Sequence, residues 1–323
     1  MPAMPRAHGN GVELEYETVG DPEGRPLLLV QGLGAQLISV EDGLCQELAA
    51  RGFLVIRYDN RDAGLSTWFD NARPVNLAAV WGGDPSTLAY TLEDMADDAV
   101  AVLDAAGVGA AHVAGISLGG MIAQLLATRH PGRVRSLASI MSTTGDRAVG
   151  QPTAEAASVL LSSMPGDRER FIEQAVVNTR AISTGTAYAF DEEAVRRGAA
   201  RGFDRAYHPK GTGRQFAAIL AAGDRTPTLG QIRVPAMVVH GEEDQVIGVS
   251  GGEATAAAIP GARLLRVPGL GHELPPGFWP TLADALVELA DRGESMDLDR
   301  PGHPSGVPRT PPAEPPADRA DRG

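Results

Sequence analysis

Apolar residues along this chain recur in two rhythms that alternate with one another. Leu27-Leu28-Leu29-Val30 and Phe53-Leu54-Val55-Ile56-Arg57-Tyr58 are short apolar runs, the pattern of strands buried on both faces of a sheet. Between them Val40, Leu44 and Leu48 recur at helical spacing. Residues 12–18 alternate apolar and polar side chains like an edge strand. Residues 92–106 predict an amphipathic helix, with Met95, Ala99, Val102 and Leu103 on its apolar face and acids on the other. A strand over 111–114, a helix over 118–129 and a strand over 136–141 are expected next.

The rhythm breaks over 146–228. That stretch predicts helices near 171–179, 192–201 and 214–222, and no convincing strand. After Pro235 the alternation resumes with Ala236-Met237-Val238-Val239-His240, a helix over 252–258, a strand over 263–267 and a helix over 279–291. Strand–helix repetition of this kind argues for a parallel sheet covered by helices on both faces, with right-handed crossovers. The expected fold is α/β. Its core comes in two parts, 1–145 and 229–292, with a helical cap, 146–228, inserted between core strands. From 293 the apolar pattern is lost. Segment 293–323, with its Thr310-Pro311-Pro312-Ala313-Glu314-Pro315-Pro316, is expected to be a disordered tail, because it cannot bury enough apolar area to offset its ordering entropy.

Composition narrows the partners. A formal net charge of -13 over 323 residues argues against nucleic acid or an anionic membrane surface. Cys45 is the lone cysteine, which excludes an internal disulfide and a Cys-based zinc site. No run reaches the ~18 apolar residues of a membrane span, and the first residues lack the apolar core of a secretory signal. A cytoplasmic protein, monomer or homodimer, is expected.

Candidate chemistry centres on Gly115-Ile116-Ser117-Leu118-Gly119, which follows the strand His112-Val113-Ala114 and opens the next helix. A nucleophile elbow needs that context, because a sharp strand-to-helix turn holds the serine in strained backbone geometry and aims its hydroxyl outward. The plain alternative is a serine that caps the helix N-terminus. A serine nucleophile needs a base, and the base needs an orienting acid. Of the seven histidines, His8 lies near the N-terminus, His303 in the tail, His112 inside a strand and His130 at a helix end. His208 falls in the cap, where it could touch substrate, and His240 ends a strand as a structural residue. His272 stands in Pro268-Gly269-Leu270-Gly271-His272-Glu273, directly after the last strand, at the sheet edge where ligands bind in open α/β folds.

For the acid, the loop Gly241-Glu242-Glu243-Asp244 offers three carboxylates, and Asp244 is selected; Asp146, after the preceding core strand, is the rival arrangement. Ser117, Asp244 and His272 then follow the chain order expected of a serine triad on this fold. The loop Gln31-Gly32-Leu33-Gly34 ends the first core strand, so the backbone N–H groups of Leu33 and Leu118 could converge on an oxyanion.

These motifs together resemble the α/β-hydrolase superfamily over about residues 7–291. The turn Asp59-Asn60-Arg61-Asp62-Ala63-Gly64-Leu65-Ser66 and the segment His240-Gly241-Glu242-Glu243-Asp244 extend the match. The family often has His-Gly where this chain has Gln31-Gly32, a change that leaves backbone donation intact. The resemblance implies a mostly parallel eight-stranded sheet and a mainly structural role for the 59–66 turn. It also implies hydrolysis of a carboxylic ester through an acyl-enzyme, with neither metal nor organic cofactor. The 58–62 and 268–275 segments are similar to aclacinomycin methylesterase-like enzymes, which points to a small or medium apolar, polyketide-like ester. A serine at the elbow argues against the haloalkane dehalogenases and epoxide hydrolases of this fold, which use aspartate there. C–C bond hydrolysis, lactonase, amidase or cofactor-free perhydrolase chemistry, or ligand binding without turnover, are the alternatives that the same residues allow. In the cap, Phe171, Arg180, Tyr188, Phe190, Phe203, Tyr207, His208 and Phe216 are candidates for substrate contact, although aromatics at helical spacing more often form a cap's own core. Trp81, in a loop before the 92–106 helix, lines the entrance or merely anchors it.

Overall fold

The apolar runs pair into a single sheet. The computed structural model describes residues 5–183 and 185–298. The strands are β1 (Arg6–Gly9), β2 (Val12–Val19), β3 (Arg25–Val30), β4 (Phe53–Tyr58), β5 (Ala111–Ile116), β6 (Val134–Ile140), β7 (Ala236–Gly241) and β8 (Arg263–Val267). Their spatial order is β1-β2-β4-β3-β5-β6-β7-β8. The first two pairings are antiparallel and every later one is parallel. The four-residue β1, Arg-Ala-His-Gly, has too little apolar content to register in the sequence pattern; pairing with β2 makes it a strand.

Alternation along the central strands divides the core in two. Leu28 and Val30 of β3 and Val113 of β5 face α3 (Leu92–Ala105) and α4 (Leu118–Arg129). Leu27, Leu29 and Ala114 face α1 (Asp42–Ala49) and α11 (Trp279–Leu298). Helix α3 is closed at its start by Thr91, whose hydroxyl accepts from Asp94 N–H while the Asp94 carboxylate accepts from Thr91 N–H. A short α2 (Leu77–Trp81), unanticipated in the sequence, precedes it, capped by Asn76.

Between β6 and β7 the described residues form α5 (Ala154–Leu161), α6 (Arg168–Ile182), α7 (Glu192–Arg205), α8 (Pro209–Ala222) and α9 (Thr226–Leu229), without a strand. The insertion is helical as expected, but its end at 228 falls inside α9. After β7, α10 (Val249–Ala258) leads to β8. Helix α11 continues through Leu298, so the first six residues of the expected tail, 293–298, are helical. The rest of that expected tail, 299–323, lies outside the described residues.

The cap is fastened to the 59–66 turn. Asp62, at φ 65°, receives Arg214 Nε at 2.7 Å and Nη2 at 2.8 Å from α8, with both side chains buried. Asp59 pairs with Arg205 of α7 at 2.8 Å and also accepts from the Leu37 and Leu65 N–H groups. Gln215 of α8 donates to the Arg61 carbonyl at 2.7 Å and accepts from Gly34 N–H at 2.8 Å. Cap, turn and β3 loop are therefore one hydrogen-bonded unit.

Candidate active site

Four connections at the C-terminal edge of the parallel strands carry the candidate residues. Ser117 occupies the turn between β5 and α4 with φ 56° and ψ -117°, a conformation outside the regions open to ordinary L-residues. Its N–H is held by the Ile140 carbonyl at 2.8 Å. The turn is this tight because its glycines allow it. A Cβ on Gly115 would lie 2.0 Å from the Gly119 carbonyl oxygen, and one on Gly119 would lie 2.0 Å from the Val30 oxygen. The serine side chain makes no cap hydrogen bond to its helix, so the plain alternative of an N-cap serine does not describe it. Among the described residues its hydroxyl has no hydrogen-bond partner, and the residue lines a cavity.

His272, in the loop after β8, lines the same cavity. Its Nδ1 lies 2.8 Å from Asp244 Oδ2, which leaves Nε2 as the ring nitrogen turned away from the carboxylate. Asp244 sits buried behind the ring. Its Oδ1 accepts from the Val246 and Ile247 N–H groups, each at 2.9 Å. Burial alone would raise the Asp244 pKa; the adjacent imidazole and hydrogen bonds from both neighbouring histidines and the Ile247 amide outweigh it and hold the carboxyl well below the usual range. The other carboxylates of the loop are engaged elsewhere. Glu242 pairs with Arg266 at 3.0 Å, and Glu243 accepts from Thr186 N–H at 2.9 Å and its hydroxyl at 2.8 Å.

His240 touches the same acid from behind. Fully buried, it places Nε2 2.7 Å from the Ile247 carbonyl and 3.4 Å from Asp244 Oδ2. No local pattern announces this contact, since a histidine ending a buried strand before glycine reads as packing alone.

Opposite these groups, the β3 loop brings Leu33 onto the cavity wall, while the Leu118 side chain is buried in the core behind the elbow. Neither the Leu33 nor the Leu118 N–H has an acceptor among the described residues, whereas Gly34 N–H is already taken by Gln215. Leu118 also opens α4, whose N-terminal partial positive charge favours an anion.

The cavity between cap and core measures about 960 Å³. Met121 gives it an apolar wall from the core, and Leu160, Ile182, Phe190, Phe216 and Leu220 join it from the cap. The remaining cap aromatics do not line it. Phe171, Phe203 and Tyr207 pack on one another with ring centroids 4.8–5.6 Å apart, and Tyr188 packs on Phe278. His208 is also off the cavity: it stacks on Trp68 at 4.1 Å and accepts from Arg214 at 2.9 Å. Trp81 does line the cavity, with the Arg147 guanidinium 3.9 Å over its ring. Charged side chains also line it, Glu273 and Arg225 among them. Burial pushes the Glu273 carboxyl up, and it pushes the Arg225 guanidinium down to about 10; Arg225 donates to the Thr143 carbonyl at 2.7 Å.

Comparison with known proteins agrees with this architecture. The family described as the alpha/beta hydrolase fold matches residues 25–275. The chain is 31% identical to the rhodomycin D methylesterase DauP of Streptomyces sp. (strain C5), covering 85% of this chain and 94% of that protein. It is 30% identical to the rhodomycin D methylesterase DnrP of Streptomyces peucetius, with the same coverage, 85% and 94%. Among solved structures it resembles a meta-cleavage product hydrolase of Pseudomonas fluorescens, with a TM-score of 0.69 over 89% of this chain and 97% of that one. Identity there is 19%, so that likeness concerns the fold. No helix among the described residues is long and apolar enough to cross a membrane.

Proposed function

The chain belongs to the α/β-hydrolase family, and on that premise we propose that it is a serine hydrolase of carboxylic esters acting through an acyl-enzyme. Ser117 Oγ attacks the ester carbonyl carbon as its proton passes to His272 Nε2. Asp244 keeps the imidazole in the orientation that presents Nε2 and stabilises the imidazolium that forms. The Leu33 and Leu118 N–H groups receive the oxyanion, an interaction that typically contributes a few kcal/mol to lowering the barrier. Collapse of the tetrahedral species breaks the C–O bond, and the departing alcohol takes the proton from His272. Water then adds to the acyl-enzyme by the same route, releasing the acid and restoring Ser117.

The observation that carries this reading is the 2.8 Å contact between His272 and a buried Asp244, on a cavity that the strained Ser117 also lines. The scissile group follows from the relatives, since DauP and DnrP are both named methylesterases. An apolar cavity of about 960 Å³, near the top of the range for drug-sized ligands, suits a medium or large apolar ester. The test is turnover of p-nitrophenyl acetate and butyrate, together with fluorophosphonate labelling mapped to the peptide carrying Ser117. Both are expected in the native protein and absent in Ser117→Ala. Turnover that survives in Ser117→Ala would refute the nucleophile. Ligand binding without turnover across a broad ester panel would favour a binding protein on the same fold.

A further inference from the structure

His272 stands on a loop that its own sequence leaves loosely specified. Gly269 and Gly271 bracket Leu270 just ahead of it, and Gly269 sits at φ 71°. A base on such a loop must be held from outside to stay within the ~0.5 Å that a working site tolerates. One support comes from the core, where Glu243 N–H donates to the Leu270 carbonyl at 3.0 Å. The others come from the cap. His272 N–H donates to the carbonyl of Ile182, the last residue of α6, at 3.3 Å. In the connection from α6 to α7, Ala187 N–H donates to the Gly269 carbonyl at 3.0 Å.

Two residues of that connection make the fit close. A Cβ on Gly185 would lie 2.5 Å from the Gly269 carbonyl oxygen and 2.8 Å from the Gly271 nitrogen, backbone atoms that cannot swing aside. Thr186 then clasps the loop that carries the acid: its N–H and its hydroxyl donate to the Glu243 carboxylate at 2.9 and 2.8 Å. The α6–α7 connection, the acid loop and the histidine loop are thus pinned to one another pairwise. Ile182 and Phe190, on either side of the connection, line the cavity, so the cap wall is joined directly to the base. We propose that Gly185 and Thr186 are positioning residues that act through His272: seating the connection on the histidine loop sets the ring where Nε2 can take the Ser117 proton. This inference rests on the ester-hydrolase reading.

The test follows p-nitrophenyl butyrate hydrolysis in native protein, Gly185→Ala, Thr186→Val and Thr186→Ser, with rates normalised to the final extent of fluorophosphonate labelling at Ser117. Gly198→Ala in α7 is the control, since a Cβ there meets nothing within 4 Å. In Gly185→Ala the methyl group forces connection and loop apart. Its kcat is expected to fall roughly ten- to a hundredfold with KM within about twofold of native, the cost of misplacing a reacting group by about 1 Å. Labelling is expected to reach the native extent more slowly. Thr186→Val is expected to lose several-fold in kcat, Thr186→Ser to recover it, and Gly198→Ala to match native. A merely structural role would lower Tm but leave kcat per labelled site at the native value, and that outcome overturns the proposal. So does a rise in KM with kcat unchanged, or a Thr186→Ser variant as impaired as Thr186→Val. Should Gly185→Ala fail to fold, a native kcat in Thr186→Val overturns it alone. Absence of both labelling and turnover in the native protein would instead overturn the ester-hydrolase reading, and this inference with it.

Discussion

Replacing Asp62 tests whether the 59–66 turn holds the cap. The Asp62 carboxylate is fully buried and receives two Arg214 donors at 2.7 and 2.8 Å as well as Phe69 N–H at 2.8 Å. In Asp62→Ala the guanidinium stays buried, beside the neutral acceptor of His208 at 2.9 Å but without its counter-charge. Removing one partner of a buried ion pair costs about 3–5 kcal/mol. Alanine at φ 65° adds about 1–2 kcal/mol of backbone strain, which Asn tolerates better. The expected losses are therefore about 4–7 kcal/mol for Asp62→Ala and about 2–4 kcal/mol for Asp62→Asn, which keeps an acceptor and the local geometry. Against a typical total of about 5–15 kcal/mol, the alanine variant is near collapse. The damage falls first on α7 and α8, since Arg214 is the charged tie of α8 to the core. Urea denaturation followed by tryptophan fluorescence measures the loss, and limited proteolysis of the folded protein reports early cleavage within the cap. A double-mutant cycle with Arg214→Met isolates the pair, and removing both charges should be less damaging than Asp62→Ala alone. If Asp62→Ala lies within about 1 kcal/mol of native and resists protease equally, the turn is not what fastens the cap.

Two further outcomes are expected. Asp244→Asn should lower kcat on p-nitrophenyl butyrate by roughly four orders of magnitude, because the amide disturbs the tautomer and withdraws the charge that steadies the imidazolium; a loss below tenfold would remove Asp244 from the relay. His112, 2% exposed and bonded through Nδ1 to Ser136 at 2.9 Å, has its pKa pushed down by burial to about 4, from 6.5. The unfolded chain thus takes up this proton first as pH falls. The His112 contribution is complete above pH 6.5 and drains away towards pH 4, by at most about 3 kcal/mol. Urea midpoints between pH 7 and 4 should fall accordingly and fall less in His112→Gln; equal slopes in the two proteins would refute the assignment.

The central strands, the elbow and the loop positions of Asp244 and His272 were legible because each depends on local pattern. Apolar runs, flanking glycines and distance from the last strand are all written within a few residues. What escaped depends on partners far away in sequence. Nothing near Asp59 or Asp62 announces Arg205 or Arg214, so a turn expected to be mainly structural turned out to hold two arginines of the cap. Asp244 was selected over Glu242 and Glu243 from the sequence, but what separates the three is again distant in the chain. In the fold, Arg266 and Thr186 engage the two glutamates, and Asp244 meets the imidazole. Which cap aromatics face the cavity was also illegible. Phe171, Phe203 and Tyr207 share helical periodicity with Phe216, and only packing separates the first three from the one that reaches inward. The end of α11 was misjudged because its last turns are polar, the pattern of a helix leaving the core.

Gln215 grips the Arg61 carbonyl with one end of its amide and the Gly34 N–H with the other. Roof and β3 loop are consequently tied to each other: on the proposed mechanism, a guest that levers α8 outward would drag on the stretch of backbone assigned to steady the developing charge. Poorly shaped guests would then be penalised in how fast they react more than in how tightly they lodge. On that reading, selectivity would be exercised at the moment of bond breaking, through the buried Gln215 amide.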